Sequence, residues 1–232
     1  ISDCLVGSEM CIRDSCRAIV LTGEGKFFSA GADLVAFQKS IDEGDSVQLI
    51  RELTDTLHPL LIKMRSSKTI FVAALNGASA GGGLGLALAC DVRVASSNAK
   101  MAASYSGIGL SPDGGTTWLL PRLVGEQTAR KFFLENQVWN AEEAHYLGAI
   151  DEVVGDEELI PRAVELANFM SQWGSHTKEA TKHLLLSQNY NDFETHLKHE
   201  QTLIEAAGTT ASFAEGIDAF LSKRKPDFSN DR

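Results

Sequence analysis

Apolar positions in the first half of the chain form short continuous runs separated by one helical repeat. The runs at 16–22 and 69–75 predict buried strands, and a third strand is predicted at 91–95. Between the first two runs, apolar residues recur every three and four positions from 42 to 65, which predicts a helix that kinks or breaks at Pro59. Strand, helix and strand in this order predict parallel β–α units and therefore an α/β fold.

Helical periodicity dominates the second half of the chain. The only strand predicted there is a short one at 150–154. We therefore expect a mixed core over 16–155 and a helical C-terminal region over 156–232. Residues 1–15 show no sustained period of either kind. The predicted helices cover 116–123, 126–135, 141–148, 157–173, 176–188, 192–207 and 211–222.

Composition narrows the class of protein. The 232 residues are 44% hydrophobic and carry a formal net charge of −10, which disfavours a nucleic-acid partner. The apolar runs are too short and too rich in glycine to span a membrane, and the start does not resemble a secretory signal, so we expect a cytoplasmic protein or one of an organelle matrix. The four cysteines lack the spacing of a metal site or disulfide framework, and we expect reduced thiols.

A G-x-S-x-G pattern occurs at 77–81, between a predicted strand and a predicted helix. In a serine hydrolase, Ser79 would be the nucleophile and would need an acid and a histidine downstream. Asp113 with His145 or His183 are the available partners, and no spacing supports them. The alternative is that these small residues only allow close packing beneath a helix.

Three consecutive glycines at 81–83 precede a small-residue apolar helix. Their spacing fits neither the dinucleotide fingerprint nor the P-loop. Glycines at a helix N-terminus leave N–H groups unpaired and let a ligand approach the backbone, so this segment is a candidate oxyanion site. Close helix–strand packing is the alternative, and both can hold together.

Asp113 lies in a loop rich in Ser, Pro and Gly at 109–115. An aspartate in such a loop is either a turn residue or a catalytic base, and the residues alone leave both open. The histidines are scattered along the chain. His196 and His199 share a predicted helix face, but no acidic pair nearby completes a metal site.

Three motifs together resemble the enoyl-CoA hydratase/isomerase (crotonase) superfamily. The first runs from the strand at 18–23 to Ser-Ala-Gly-Ala-Asp-Leu at 29–34. The second is Asn-Gly-x-x-x-Gly-Gly-Gly-x-x-Leu-Ala-x-x-Cys-Asp at 76–91. The third is Gly-Leu-Ser-Pro-Asp-Gly-Gly at 109–115, followed by Leu-Pro-Arg-Leu-Val-Gly at 120–125. The resemblance covers residues 16 to about 228.

The resemblance implies a spiral of ββα units followed by a helical C-terminal region, assembled as trimers or dimers of trimers. It also implies an acyl-CoA thioester whose oxygen accepts hydrogen bonds from the backbone N–H groups of Ala32 and Gly82, without a metal or redox cofactor. Lys223 and Arg224 would face the nucleotide phosphates, or would only favour a helix C-terminus. The residues expected to contact substrate are Ala30, Asp33, Leu34, Gly81, Gly85, Tyr105, Phe220, Lys223 and Arg224.

Two positions depart from the hydratases of this superfamily. Those enzymes carry two glutamates that position and activate water, and the matching positions here hold Gly85 and Tyr105. Gly85 is expected to leave room for a wider acyl group, and Tyr105 to line the pocket or donate a hydrogen bond. Asp113 occupies the place of the catalytic acid in the isomerases, so the resemblance implies that it moves the proton.

The N-terminus departs as well. The superfamily opens with a strand, a turn and a helix that are not found before residue 16, so we expect residues 1–15 to be a non-native or aberrant segment and the core at 16–155 to be truncated. The expected function is an acyl-CoA isomerase that shifts an enoyl-CoA double bond, or isomerises an epoxyphenylacetyl-CoA type substrate, through a thioester enolate. The alternatives are an enoyl-CoA hydratase, a non-catalytic acyl-CoA-binding paralogue and the serine hydrolase.

Overall fold

A computed structural model describes residues 16–188 and 190–229. The segment predicted to be non-native, 1–15, lies outside the described residues. The strands are β1 (Ala18–Thr22), β2 (Phe27–Ser29), β3 (Ile70–Leu75), β4 (Ala78–Ala80), β5 (Val92–Ser96), β6 (Lys100–Ala102), β7 (Val138–Asn140) and β8 (Glu152–Val154). The α-helices are α1 (Leu34–Glu43), α2 (Ser46–Ser66), α3 (Gly82–Ala89), α4 (Thr116–Val124), α5 (Glu126–Leu134), α6 (Ala141–Tyr146), α7 (Leu159–Ser171), α8 (Ser175–Ser187), α9 (Phe193–Ala207) and α10 (Ala211–Leu221).

The strands form two four-stranded sheets, in the orders β1-β3-β5-β8 and β2-β4-β6-β7. In the first sheet, β5 pairs in parallel with both β3 and β8, and Val72 lies opposite Val92. In the second, β4 pairs in parallel with β2 and β6, whereas β7 is antiparallel to β6. The predicted α/β class with parallel strands is confirmed. The second sheet was not expected, because each of its four strands has only three residues, which are too few to show a repeating pattern.

The chain divides into two compact units. The larger comprises 20–64 and 71–166, and the smaller comprises the described residues among 16–19, 65–70 and 167–229. The predicted boundary at 155 lies inside the larger unit, because the first turns of α7 belong to that unit and bury Leu159 and Ala163.

The helix predicted over 42–65 corresponds to α2, which begins four residues later and ends one residue later. Helix α1 was not predicted, and Gly44 separates it from α2, since Gly44 takes a left-handed conformation with φ of 76° and its N–H bonds to the carbonyl of Ile41. Pro59 does not interrupt α2, so of the expected kink or break the break is wrong. The buried side chains of Leu61 and Met64 anchor the two turns that follow the proline.

Asn76 fixes the loop that leads from β1 to β2. Its Oδ1 accepts a bond of 2.9 Å from the N–H of Gly23, and its Nδ2 donates to the carbonyls of Gly25 and Phe27 at 3.1 and 3.3 Å. One side chain at the end of β3 therefore satisfies three main-chain groups of a loop some 50 residues away. The loop is held where β2 must pair with β4.

Helix α3 lies so close to its neighbours that side chains are excluded from two of its positions. A Cβ built on Gly83 would lie 2.5 Å from the carbonyl oxygen of Ser29, and one on Gly85 would lie 2.4 Å from that of Gly114. Both obstacles are main-chain atoms, which cannot turn aside as a flexible side chain can. These glycines therefore set the distance between α3 and the two loops that flank it.

We expect Gly85→Ala to destabilise the larger unit by about 1–3 kcal/mol, because the added methyl group would force the Gly114 loop away from α3. Gly216→Ala is the matched control, since Gly216 is also helical and its Cβ would find only Phe228 Cζ at 3.9 Å. The control should be neutral or more stable by up to about 1 kcal/mol, because alanine is the better helix former. Urea unfolding midpoints measure both effects. Equal stability of the two variants would show that the Gly114 loop moves freely.

Candidate active site

The turn at 30–33 brings Ala32 next to the N-terminus of α3. Gly31 has φ of 87°, and a Cβ built on it would lie 2.9 Å from the carbonyl oxygen of Ala80 and 3.4 Å from the nitrogen of Gly82. Asp33 then caps α1, accepting a bond of 2.8 Å from the N–H of Val35. The turn is therefore held by a glycine on one side and by a helix cap on the other.

The two predicted oxyanion donors lie in these neighbouring turns. Gly82 is the first residue of α3, so its N–H has no acceptor within the helix. Gly81 before it has φ of 53° and ψ of −131°, a conformation that essentially only glycine adopts. Within 16–188 and 190–229, neither Ala32 nor Gly82 donates any of the backbone bonds found outside helices and strands. Both N–H groups can therefore donate hydrogen bonds to a ligand oxygen.

The loop that carries Asp113 is fixed at its backbone. Gly114 and Gly115 both have positive φ, of 59° and 71°, and α4 begins directly after them. The hydroxyl and the N–H of the buried Thr116 both donate to the carbonyl of Asp113, at 2.9 and 3.1 Å. These bonds fix the loop through the main chain of Asp113 and leave its carboxylate, 37% exposed, to interact with other side chains and with solvent.

Tyr105 holds one oxygen of that carboxylate. Its hydroxyl donates to Oδ1 of Asp113 at 2.9 Å and also lies 3.3 Å from the Asp113 carbonyl. Burial of the ring, followed by the negative charge of Asp113, raises the pKa of Tyr105 well above its ordinary value of 10. The phenol therefore stays protonated at neutral pH and acts as a donor that orients Asp113.

The space expected at Gly85 is not open. A Cβ built on Gly85 would collide with the carbonyl oxygen of Gly114. The glycine therefore allows close contact between α3 and the Asp113 loop and does not provide extra room for substrate. The physical reason is that the loop fills the volume that a longer side chain would take. Gly85 thereby contributes to the placement of Asp113.

His58 joins the site from α2, and the sequence analysis missed it. Its Nε2 lies 4.0 Å from Oδ2 of Asp113. The preceding residue, Leu57, places Cδ2 3.1 Å from the Cβ position of Gly82 and 3.6 Å from that of Gly114. The apolar period of α2 identified Leu57 as a packing residue, but no pattern connects position 58 to a loop 55 residues later.

Ser79 is not placed as a hydrolase nucleophile. It lies in the middle of β4 rather than in the turn before α3, its side chain is fully buried, and its hydroxyl donates to the carbonyl of Lys100 at 3.3 Å. A nucleophile elbow requires an exposed serine at a strand-to-helix turn. The G-x-S-x-G match is therefore a packing motif, and the hydrolase alternative is wrong.

We expect Ser79→Ala to leave acyl-CoA turnover unchanged and to cost about 1 kcal/mol of stability or less, because only one buried hydrogen bond is lost. Turnover of an enoyl-CoA tests whether the reaction needs the Ser79 hydroxyl, and labelling by a fluorophosphonate probe tests whether that hydroxyl is a reactive nucleophile. Stoichiometric labelling of the wild type that disappears in the variant would restore the serine as a nucleophile.

The C-terminal residues expected to bind CoA lie in the smaller unit. The Phe220 side chain is 81% exposed, and Lys223 has a left-handed conformation with φ of 55°. Arg224 already has two carboxylate partners, at 2.6 Å to Glu215 and 2.5 Å to Asp218. Its charge is therefore balanced within the tail. The role of these residues toward nucleotide phosphates stays a prediction.

The ion pair between Arg224 and Glu215 makes the stability of the C-terminal segment depend on pH. The hydrogen bond from Arg224 lowers the pKa of Glu215 from 4.5 to about 2. The charged carboxylate thus adds stability above about pH 4.5, and this contribution is lost as the pH falls toward 2.

We expect Glu215→Gln to lower the urea midpoint at pH 7, and the difference from wild type to shrink between pH 4.5 and pH 2. Glu205→Gln on α9 is the control, because the Glu205 carboxylate accepts its bond from the neutral amide of Gln201. A constant difference across this range would contradict the role of the Glu215 charge.

Neither a metal cluster nor a membrane helix is found in the part of the chain that the structure describes. No three His, Cys, Asp or Glu side chains among those residues are grouped so that they could hold a metal ion. Likewise, none of the helices described there combines the length and the apolar character needed to cross a bilayer.

Two glycine-rich turns that present free N–H groups beside an oriented carboxylate, on a ββα framework followed by helices, define a crotonase-fold protein. The enoyl-CoA hydratase/isomerase family model matches residues 2–231. The chain belongs to the enoyl-CoA hydratase/isomerase family.

Named relatives agree with this assignment. The chain is 35% identical over 217 residues to the 1,2-epoxyphenylacetyl-CoA isomerase of Escherichia coli K12, covering 93% of this chain and 82% of the relative. It is 37% identical over 217 residues to a probable enoyl-CoA hydratase of Rhodobacter capsulatus, covering 94% and 82%. The crystal structure of an enoyl-CoA hydratase from Polaromonas sp. JS666 superimposes with a TM-score of 0.88 at 31% identity, covering 96% of this chain and 86% of that chain.

Proposed function

We propose that this protein is an acyl-CoA isomerase that moves a carbon–carbon double bond of an enoyl-CoA, or isomerises an epoxyphenylacetyl-CoA type substrate. The observation that carries the proposal is the single oriented carboxylate of the site. Tyr105 holds Oδ1 of Asp113 and leaves Oδ2 to act as the base. One carboxylate is what a reaction needs that takes a proton from one carbon and returns it to another.

The backbone N–H groups of Ala32 and Gly82 would bind the thioester oxygen. Removal of a proton from the neighbouring carbon places negative charge on that oxygen, and each preorganised donor is worth on the order of a hundred- to a thousandfold in rate. The two turns that carry them lie close together, since a Cβ built on Gly31 would lie 3.4 Å from the nitrogen of Gly82. This proximity supports a shared oxygen acceptor.

The double-bond shift needs no reactant other than the substrate and the Asp113 carboxylate. Asp113 takes the proton from the carbon next to the thioester of a 3-enoyl-CoA, and the C–H electron pair forms a conjugated enolate. Asp113 then returns the proton to the far carbon, and the double bond comes to rest beside the thioester. Tyr105 donates to Oδ1 before and after the transfer, so Oδ2 carries the proton.

Hydration of a 2-enoyl-CoA is the second candidate, because relatives of both names match the chain to a similar extent. Isomerisation is favoured, since this chain has Gly85 and Tyr105 at the positions that match the two glutamates of the hydratases. At Gly85 the main chain of Gly114 also takes the space that a glutamate would need. A protein that binds acyl-CoA without turnover is the remaining alternative.

We further propose that the reaction needs no metal or redox cofactor beyond the coenzyme A of the substrate. A trimeric or dimer-of-trimers assembly and a cytoplasmic location remain part of the proposal, and light scattering of the purified protein tests the first.

We expect Asp113→Asn to lower kcat for double-bond migration by at least about a hundredfold, while CoA-ester affinity stays within a few-fold, because the amide keeps the shape and loses the proton acceptor. Conversion of a 3-enoyl-CoA to its 2-enoyl isomer measures the first quantity, and calorimetric binding of a saturated acyl-CoA measures the second.

Asp55→Asn is the matched control for this substitution, because Asp55 is exposed on α2 and the same change of charge is made at a residue outside the Asp113 loop. Full isomerisation by the Asp113 variant would make that residue a structural turn residue. A wild type that hydrates 2-enoyl-CoA rapidly and moves no double bond would replace the isomerase by the hydratase.

A further inference from the structure

The two oxygens of the Asp113 carboxylate have different neighbours. Oδ1 accepts the Tyr105 hydroxyl at 2.9 Å, whereas Oδ2 faces Nε2 of His58 at 4.0 Å. The neighbours also differ in exposure, since Tyr105 is 5% exposed and the His58 side chain 47%. One oxygen is thus sealed against a buried donor, and the other is directed toward a group in contact with solvent.

These neighbours differ in what they can do with a proton. Burial and the Asp113 charge keep the Tyr105 phenol protonated, so it can orient the carboxylate but cannot accept a proton from it. Histidine is the side chain that ordinarily gains and loses a proton near neutral pH. At 4.0 Å, His58 is one small side-chain rotation, or one bridging water, away from a hydrogen bond to Oδ2.

His58 is also held in place by its own helix. Leu57, the preceding residue, packs over the main chain of Gly82 and Gly114, which fixes the turn of α2 beside the Asp113 loop. The imidazole itself is half-exposed and fills no cavity. Its position is therefore set by its neighbours, while its side chain is free to turn toward Oδ2 or toward water.

We propose that His58 is a relay residue that exchanges the proton on Oδ2 of Asp113 with solvent during turnover. This inference rests on the proposed isomerase function. After Asp113 has taken the substrate proton, neutral His58 accepts it from Oδ2, an O–H bond breaks and an N–H bond forms, and the imidazolium releases a proton to water. The reverse sequence delivers a solvent proton to Asp113, which passes it to the far carbon.

The relay competes with direct return of the original proton. Without His58, return of the same hydrogen from one carbon to the other competes only with direct exchange between the 37% exposed Asp113 carboxyl and water. With His58, a larger share of the transferred hydrogen comes from water. His58 acts through Asp113, so its removal changes the origin of the hydrogen more than the rate of the reaction.

The test is isomerisation of a 3-enoyl-CoA in deuterium oxide, with the deuterium content of the 2-enoyl product measured by mass spectrometry at low conversion. The proteins compared are wild type, His58→Gln, Asp113→Asn and the control His145→Gln. His145 is an exposed histidine of α6 whose Nδ1 lies 3.0 Å from the carbonyl oxygen of Ile150.

We expect His58→Gln to lower deuterium incorporation per turnover by at least about threefold, and to lower it by a larger factor than the isomerisation rate. His145→Gln should match wild type in both quantities. Asp113→Asn should lose isomerisation and incorporation together. A half-exposed side chain leaves no cavity when it is shortened, so the His58 variant should fold as wild type does.

The possible failures are distinguishable. A wild type that isomerises with full retention of its hydrogen overturns the relay, and so does a His58 variant with unchanged deuterium incorporation. Loss of isomerisation in the His58 variant would make His58 essential to the chemical step, which also contradicts a relay. A wild type that moves no double bond overturns the proposed function, and the relay with it.

Discussion

Main-chain contact around the N-terminal half of α3 is the constraint on which the site depends. Gly83 and Gly85 place the helix against the carbonyls of Ser29 and Gly114, at distances where any Cβ would collide. Because a helix and two loops meet backbone to backbone, the relative positions of Ala32, Gly82 and Asp113 are set by main-chain packing rather than by side-chain rotamers. Such a site needs little rearrangement when charge develops in it.

Around this rigid centre, the proton chemistry depends on a few side chains. Tyr105 donates a hydrogen bond to Oδ1 of Asp113 and orients that carboxylate. His58 approaches the same carboxylate from another helix. In the proposed mechanism, the main-chain part of the site stabilises negative charge, and the side chains decide where a proton goes. A change of reaction then requires new side chains at a few loop and helix positions and leaves the framework unchanged.

The sequence predicted those parts of the fold whose signal is long enough to repeat. Strands β3 and β5 and the C-terminal helices were located within a few residues, because apolar runs and helical periods mark them. Strands β2, β4, β6 and β7 were missed, since three residues are too few to show alternation and β4 consists only of Ala and Ser. Their pairing depends on partners far away in the chain.

The candidate site, like the fold, was predicted only where its signal is local in the sequence. Loop motifs identified the turns at Ala32 and Gly82 and the loop of Asp113, because glycine and proline at fixed spacing leave a local mark. The contacts of Gly85 with Gly114 and of His58 with Asp113 were not predictable from local pattern, because they join segments 29 and 55 residues apart. The charge balance of Arg224 was not predicted either, since its partners Asp218 and Glu215 lie six and nine residues earlier, on a helix that ends before Arg224.

The proposed oxyanion donors have an evolutionary consequence, because they belong to the peptide backbone and not to side chains. Every amino acid except proline carries the same amide hydrogen. Substitution at position 32 therefore leaves the donor in place in nearly every variant, and proline alone deletes it. Fewer residues are tolerated at position 82, because a Cβ built there would lie 3.1 Å from Leu57 Cδ2. Drift at these codons can reshape the walls of the pocket while the charge-stabilising element passes unaltered from one generation to the next.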